Sequence, residues 1–68
     1  MIHFTLDTEY IELVKLLKIT NLVSTGGEAK MVVISGEVLY NGTPDTRKRL
    51  KVRKGDKIEY NGETIVVE

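Results

Sequence analysis

Tyr-Asn-Gly occurs twice in this chain, at residues 40–42 and 60–62. Asn-Gly is the strongest short-range hairpin signal, because the favoured two-residue turn needs positive φ at both central positions. Around the second site, Lys57–Tyr60 and Thr64–Val67 have the length and apolar content of paired strands. Ile58 and Tyr60 share one face of the first run. Ile65 and Val67 share a face of the second, with Val66 on the other. Around the first site, Val38-Leu39-Tyr40 reads as a strand, and Thr43-Pro44-Asp45 continues the turn region, which allows a connection longer than two residues. A further strand is expected over Arg49–Val52, with Gly55-Asp56 turning the chain after it. The flanks of the two Tyr-Asn-Gly sites do not match, so turn chemistry recurs without an internal repeat.

The first half has different periodicities. Met1–Leu6 alternates, with Ile2, Phe4 and Leu6 on one side, and is expected as a short strand or extended arm. Asp7 and Thr8 are cap-type residues, so a helix is expected over Glu9–Leu17, with Leu13, Leu16 and Leu17 on its inner face. Thr25-Gly26-Gly27-Glu28 has the spacing of a capping box, in which Thr25 accepts from the amide of Glu28 and Glu28 reaches back to that of Thr25. The second helix then runs over Gly26–Ser35. Ala29, Val32 and Val33 form its stripe, Met31 and Ile34 widen it, and Gly36 stops it in the left-handed conformation. Met31 is expected to fill a core gap. The fold class is α+β, with two N-terminal helices packed on a small antiparallel β-sheet.

Sixty-eight residues without a cysteine allow one domain, residues 1–68, with a thin core and no disulfide. Charge is distributed unevenly along it. Arg47–Lys57 holds seven of the ten Lys and Arg residues and one acid, Asp56, while the whole chain has a formal net charge of zero. Cations this dense repel one another unless a polyanion or facing acids compensate them. With only Leu50 and Val52 as apolar members, the run has the character of a phosphate-facing surface. A regular strand would turn Lys48 inward with Leu50 and Val52. Thr46–Lys48 is therefore expected to be irregular. That frees Arg47 and Lys48, sets Arg49, Lys51 and Arg53 on the solvent face, and brings Lys30 toward the patch from the second helix. Gly26 and Gly27 leave an open backbone at that helix start, where an anion can come close.

Other chemistries find little support. Neither Gly-x-x-x-x-Gly-Lys-Ser/Thr nor Gly-x-Gly-x-x-Gly is present. The acids are scattered, with no nucleophile–base pair, and Asp45 and Asp56 are placed to pair with Arg47 and Arg53. A lone histidine, His3, makes no zinc site. No cofactor, catalytic residue or metal ligand is expected. Apolar runs are too short for a membrane span, and the first residues lack a signal peptide's basic start and apolar core, so a cytoplasmic location is expected. Tyr40 or Tyr60 is available to stack on a base. The reading from another class is a protein-interaction module whose basic face meets an acidic partner.

Several segments in series resemble a known family. They are Thr25-Gly26-Gly27-Glu28-Ala29-Lys30 with Met31 and Ile34, Gly36-Glu37-Val38-x-x-Asn41-Gly42, and Val52-x-x-Gly55-Asp56-x-Ile58. Together they resemble the S4-type RNA-binding domain with its αL motif, over residues 12–60. The Thr-Gly-Gly helix start and the Thr46–Arg49 run are similar to its small standalone members, described as ribosome-associated or as helpers of ribosome assembly. The resemblance implies a non-catalytic module for structured RNA, ribosomal RNA above all. Ribosomal particles are then possible partners, with no membrane and no preference for DNA. It implies contacts from Thr25, Gly26, Lys30, Asn41 and the basic segment, here Arg47, Lys48, Arg49, Lys51, Arg53 and Lys54, to which the open helix-start backbone adds Gly27. Many members have Ser-Arg where this chain has Thr25-Gly26, so the resemblance implies that Arg47, Lys48 and Arg49 take over that phosphate clamp.

Overall fold

A computed structural model describes residues 1–68. The elements in order are β1 (Ile2–Phe4), β2 (Ile11–Glu12), α1 (Leu13–Ile19), α2 (Gly26–Ile34), β3 (Leu39–Tyr40), β4 (Thr43–Pro44), β5 (Lys51–Val52), β6 (Lys57–Tyr60) and β7 (Glu63–Val67). Five strands form one sheet in the order β1-β7-β6-β3-β4, and β2 pairs with β5 apart from it. The α+β architecture of two helices on a small, mainly antiparallel sheet is the expected one.

Both Asn-Gly sites are two-residue hairpin turns. Asn41 and Gly42 have φ of 50° and 88°, and Asn61 and Gly62 have 52° and 82°. Asn tolerates that region and Gly enters it freely, which explains the residue choice. The first loop is therefore tight: Tyr40 sits opposite Thr43, and Thr43-Pro44 is strand β4 instead of part of a longer connection. Pro44 can occupy that strand because β4 is the sheet edge, where its missing N–H breaks no ladder. At the other edge the N-terminal arm is a strand, and it pairs parallel to β7, with Ile2 opposite Ile65 and Phe4 opposite Val67. The otherwise antiparallel sheet thus carries one parallel edge.

The first helix begins later than Glu9 and ends later than Leu17. Ile11 is taken by an antiparallel bridge to Val52, and the Leu13 N–H donates to the Leu50 carbonyl at 2.9 Å. Glu12 becomes the N-cap, without a side-chain cap bond. The Thr8 hydroxyl donates locally to the Tyr10 carbonyl instead of capping a helix. A long-range partner has overridden a local start signal.

The second helix has the expected bounds to within a residue. Thr25 Oγ1 accepts from the Glu28 N–H at 3.1 Å. The reciprocal bond is shifted by one residue: Glu28 Oε1 accepts from the Ser24 N–H at 2.8 Å, not from Thr25. Gly36, at φ 80°, ends the helix. Its N–H donates to Val33 and that of Glu37 to Val32, the paired bonds of a Schellman stop.

Fifteen apolar residues form one core and no polar side chain is buried. Leu13, Leu16 and Leu17 come from α1 and Ala29, Val32 and Val33 from α2. Val38, Val52, Ile58, Ile65 and Val67 enter from the sheets and the segment before β3. Met31 and Ile34 do not join it; they are 72% and 55% exposed. Five apolar positions in nine residues exceed what one helix face can bury against a single neighbour layer. The expectation that Met31 fills a core gap is therefore overturned.

Candidate nucleic-acid interface

The basic segment is anchored at both ends. At its start, Asp45 N–H donates to the Val38 carbonyl at 3.2 Å. Asp45 Oδ1 accepts from the Arg47 N–H at 3.0 Å, and the Arg47 guanidinium grips both carboxylate oxygens, the shortest contact being 2.6 Å. At its end, Leu50 and Val52 are buried, and Lys51 and Val52 pair with Glu12 and Ile11. Alternation along β5 then turns Lys51 and Arg53 to solvent.

The irregular stretch is longer than the sequence suggests. Lys48 and Arg49 form a turn, closed by Leu50 N–H to the Arg47 carbonyl at 3.3 Å, so regular strand begins at Lys51 instead of Arg49. The chain must cross here from the edge strand β4 to β2, and only then can it bury Leu50. Lys48 and Arg49 are both exposed as a result.

Two shallow clefts flank this turn. The first, about 470 Å³, is lined by Tyr40, Arg47, Arg49, Leu50, Lys51 and Arg53. The second, about 410 Å³, is lined by Glu12, Val14, Lys30, Lys48 and Arg49. Lys30 thus meets the patch from α2, as expected, and Arg49 belongs to both clefts. Lys54 lies in the turn after β5 and lines neither. Thr25, Gly26 and Gly27 stand at the start of α2, about one helical turn before Lys30. A Cβ on Gly26 would meet nothing within 4 Å, so no packing inside the chain demands glycine there.

Asn41 and Asp56 brace the first cleft from behind. Asp56 Oδ2 accepts from the Tyr40 hydroxyl and from the Arg53 N–H, each at 2.9 Å, and Oδ1 from the Asn41 amide at 3.2 Å. Asn41 Oδ1 accepts in turn from the Lys57 N–H at 2.8 Å. Asn41 therefore spends its amide on joining two turns. Asp56 contacts the Arg53 backbone, and the expected pairing with its guanidinium is not made, whereas Asp45 pairs with Arg47 as expected. Partial burial pushes the Asp56 carboxyl up. The Arg53 N–H, the Asn41 amide, the Tyr40 hydroxyl and the Arg53 charge outweigh that and hold it below the ordinary range. Arg47's hydrogen bonds, side-chain first and then backbone, hold Asp45 below that range too. Bonding to Asp56, aided by burial and its charge, raises the Tyr40 phenol, while Arg47 and Arg53 pull the other way.

Neither the place of Asp56 as the node of this network nor that of Tyr10, whose ring lies under the Lys51 ammonium at 4.8 Å, is legible in the sequence. Their partners are distant in sequence. The only local sign was the turn glycine beside Asp56.

A small α+β module that presents a basic turn beside its second helix defines a binding protein of the αL kind. The chain belongs to the S4 domain family, whose pattern matches residues 4–68. It is 40% identical over 58 residues to the probable ribosome maturation protein RlbA of Bacillus subtilis, covering 85% of this chain and 82% of that one. It is 33% identical over 58 residues to the putative RNA-binding protein YbcJ of Escherichia coli, covering 85% and 83%. The solution structure of E. coli YbcJ, described as revealing an αL motif involved in RNA binding, superposes with a TM-score of 0.73. That match has 32% identity and covers 98% of this chain and 86% of the other. The chain is thus homologous to S4- and YbcJ-like RNA-binding proteins, and a non-catalytic role accords with that membership.

Proposed function

We propose that this protein binds structured RNA, ribosomal RNA in particular, and acts in ribosome maturation or on ribosomal particles in the cytoplasm. The observation that carries the reading is the junction of the two clefts at Arg49. Around it gather six cations, Lys30, Arg47, Lys48, Arg49, Lys51 and Arg53. Arg47 alone among them has a carboxylate partner in ion-pair contact. Such a group of cations is stabilised by a ligand that carries several phosphates. Arginine forks match phosphate oxygens in pairs, and the turn presents Arg47 and Arg49 to solvent close together. The open backbone at Gly26 and Gly27 adds N–H donors at a helix start, on the same helix as Lys30. The description of the Bacillus relative as a probable ribosome maturation protein supports the ribosomal assignment.

Sedimentation of the tagged protein with ribosomal fractions tests this. Co-migration at low salt and release at high salt is the expected result. Nuclease-resistant capture of an acidic protein, with no crosslink to RNA, would reject it.

A further inference from the structure

We infer that the cleft around Tyr40 is a receptor for a single unpaired nucleotide, with its base on the Tyr40 ring and its flanking phosphates on Arg49 and Arg53. The inference rests on the RNA-binding reading and deepens it.

Tyr40 is half-buried, packs against the core on one side, and lines the cleft with Arg47, Arg49, Lys51 and Arg53. Its hydroxyl is held by Asp56 at 2.9 Å, so the ring cannot swing away from the cleft without losing that bond. Lys51 is drawn over the Tyr10 ring and Arg47 onto Asp45. Arg49 and Arg53 are left as guanidiniums without a carboxylate. An aromatic ring tethered by its hydroxyl, lining one cleft together with two unpaired cations, suits a ligand with a flat face and charged ends. The cleft is shallow and open, which suits a base laid against one wall more than a ligand enclosed on all sides. A base in a continuous duplex cannot present its face to such a floor, whereas a bulged or looped-out base can. Tyr60, the other candidate aromatic, has Glu37, Glu59 and Glu63 around it, which repel phosphate.

The test uses two RNA hairpins that differ by one bulged nucleotide, carried as 2-aminopurine. The wild-type protein should prefer the bulged hairpin by about ten-fold, the scale of one base–aromatic stack, and should quench the 2-aminopurine. Tyr40→Phe keeps the ring but frees it from Asp56, and should retain part of the quenching. Tyr40→Leu should bring the two affinities together and abolish it. If the wild-type protein binds both hairpins equally without quenching, this inference falls and the RNA-binding reading stands. If it binds neither hairpin nor any ribosomal RNA fragment, both fall. The wild-type measurements decide the matter even where Tyr40→Leu does not fold.

Discussion

The Tyr40 hydroxyl donates to the Asp56 carboxylate at 2.9 Å, joining residues sixteen apart in sequence. That bond fastens the end of β3 to the turn that precedes β6. The same carboxylate holds the Arg53 N–H and the Asn41 amide, so a single acid sets the shape of the wall behind the basic turn. Asp56 is the one acid in the basic run, and its position explains why the run tolerates it.

Replacing Asp56 should therefore destabilise the fold. Asp56→Ala leaves three donors without their partner and should cost about 1–3 kcal/mol, read as a lower denaturant midpoint. Its folded carboxyl titrates below the unfolded value, as does that of Asp45. The stability from both is full above the ordinary carboxylate range and is lost as pH falls through the lower folded values. Thermal midpoints should hold steady near neutrality and drop in acid, and Asp56→Asn should show a shallower acid decline. An identical acid slope in the variant would contradict the assignment.

Thr25→Ala removes the oxygen that accepts from the Glu28 N–H. The expected loss is about 1 kcal/mol. Glu28→Ala frees the Ser24 N–H, which lies outside the helix, and should cost less. Chemical denaturation of the two variants would order them, and the reverse order would show that the shifted carboxylate bond dominates the helix start.

Leu13 is fully buried at the point where β2 becomes α1, and its N–H reaches Leu50. Leu13→Ala should cost roughly 2–5 kcal/mol. A chain of this length has a total stability of about 3–10 kcal/mol, so the variant should lose a large share of it, read by circular dichroism as a much lower thermal midpoint. A cooperative melt close to the wild-type one would show that the core around α1 can collapse onto the gap.

For RNA binding, Arg49→Ala should weaken affinity most, because Arg49 lines both clefts and has no carboxylate partner. Arg47→Ala should weaken it less, since Arg47 must first leave Asp45. Lys57→Ala should matter least. Conversely, Asp45→Asn releases Arg47 and should raise affinity. Each phosphate contact adds about 0.7–0.9 to the slope of log affinity against log salt, so four contacts give a slope of about −3. Filter binding with a ribosomal RNA fragment across a salt series measures all of this. Equal losses in the three alanine variants would reduce the patch to diffuse charge.

Features that rest on one residue's backbone preference were legible in the chain. Asn41-Gly42, Asn61-Gly62 and Gly36 adopt positive φ, and few other residues do so cheaply. The stripe of Leu13, Leu16 and Leu17 was legible for the same reason of local geometry. What escaped depends on distant partners. Ile11 looks helical until Val52 arrives beside it, and Met31 looks buried until no layer covers that face of α2. The parallel alignment of β1 with β7 has no local signature at all. In the candidate site, the density of cations was plain, and so was the need for an irregular Thr46–Lys48. The turn at Lys48-Arg49 and the brace at Asp56 were not, because both follow from how the sheet edge is joined to β2.

The pairing of β1 with β7 also governs how the molecule bears load. Phe4 and Glu68 exchange backbone bonds with each other's neighbourhood, through Leu6 N–H to Glu68 and Glu68 N–H to Phe4. The two strands run in the same direction, so tension applied through residue 2 and residue 67 slides them past one another along their length. Every bond of the ladder is strained at once, whereas antiparallel neighbours pulled at one end would peel apart bond by bond. In an optical trap, stretching through these two positions should give a higher rupture force than pulling across the β6–β7 hairpin from residues 57 and 67. The parallel edge strand of the sheet would then serve as a mechanical clamp.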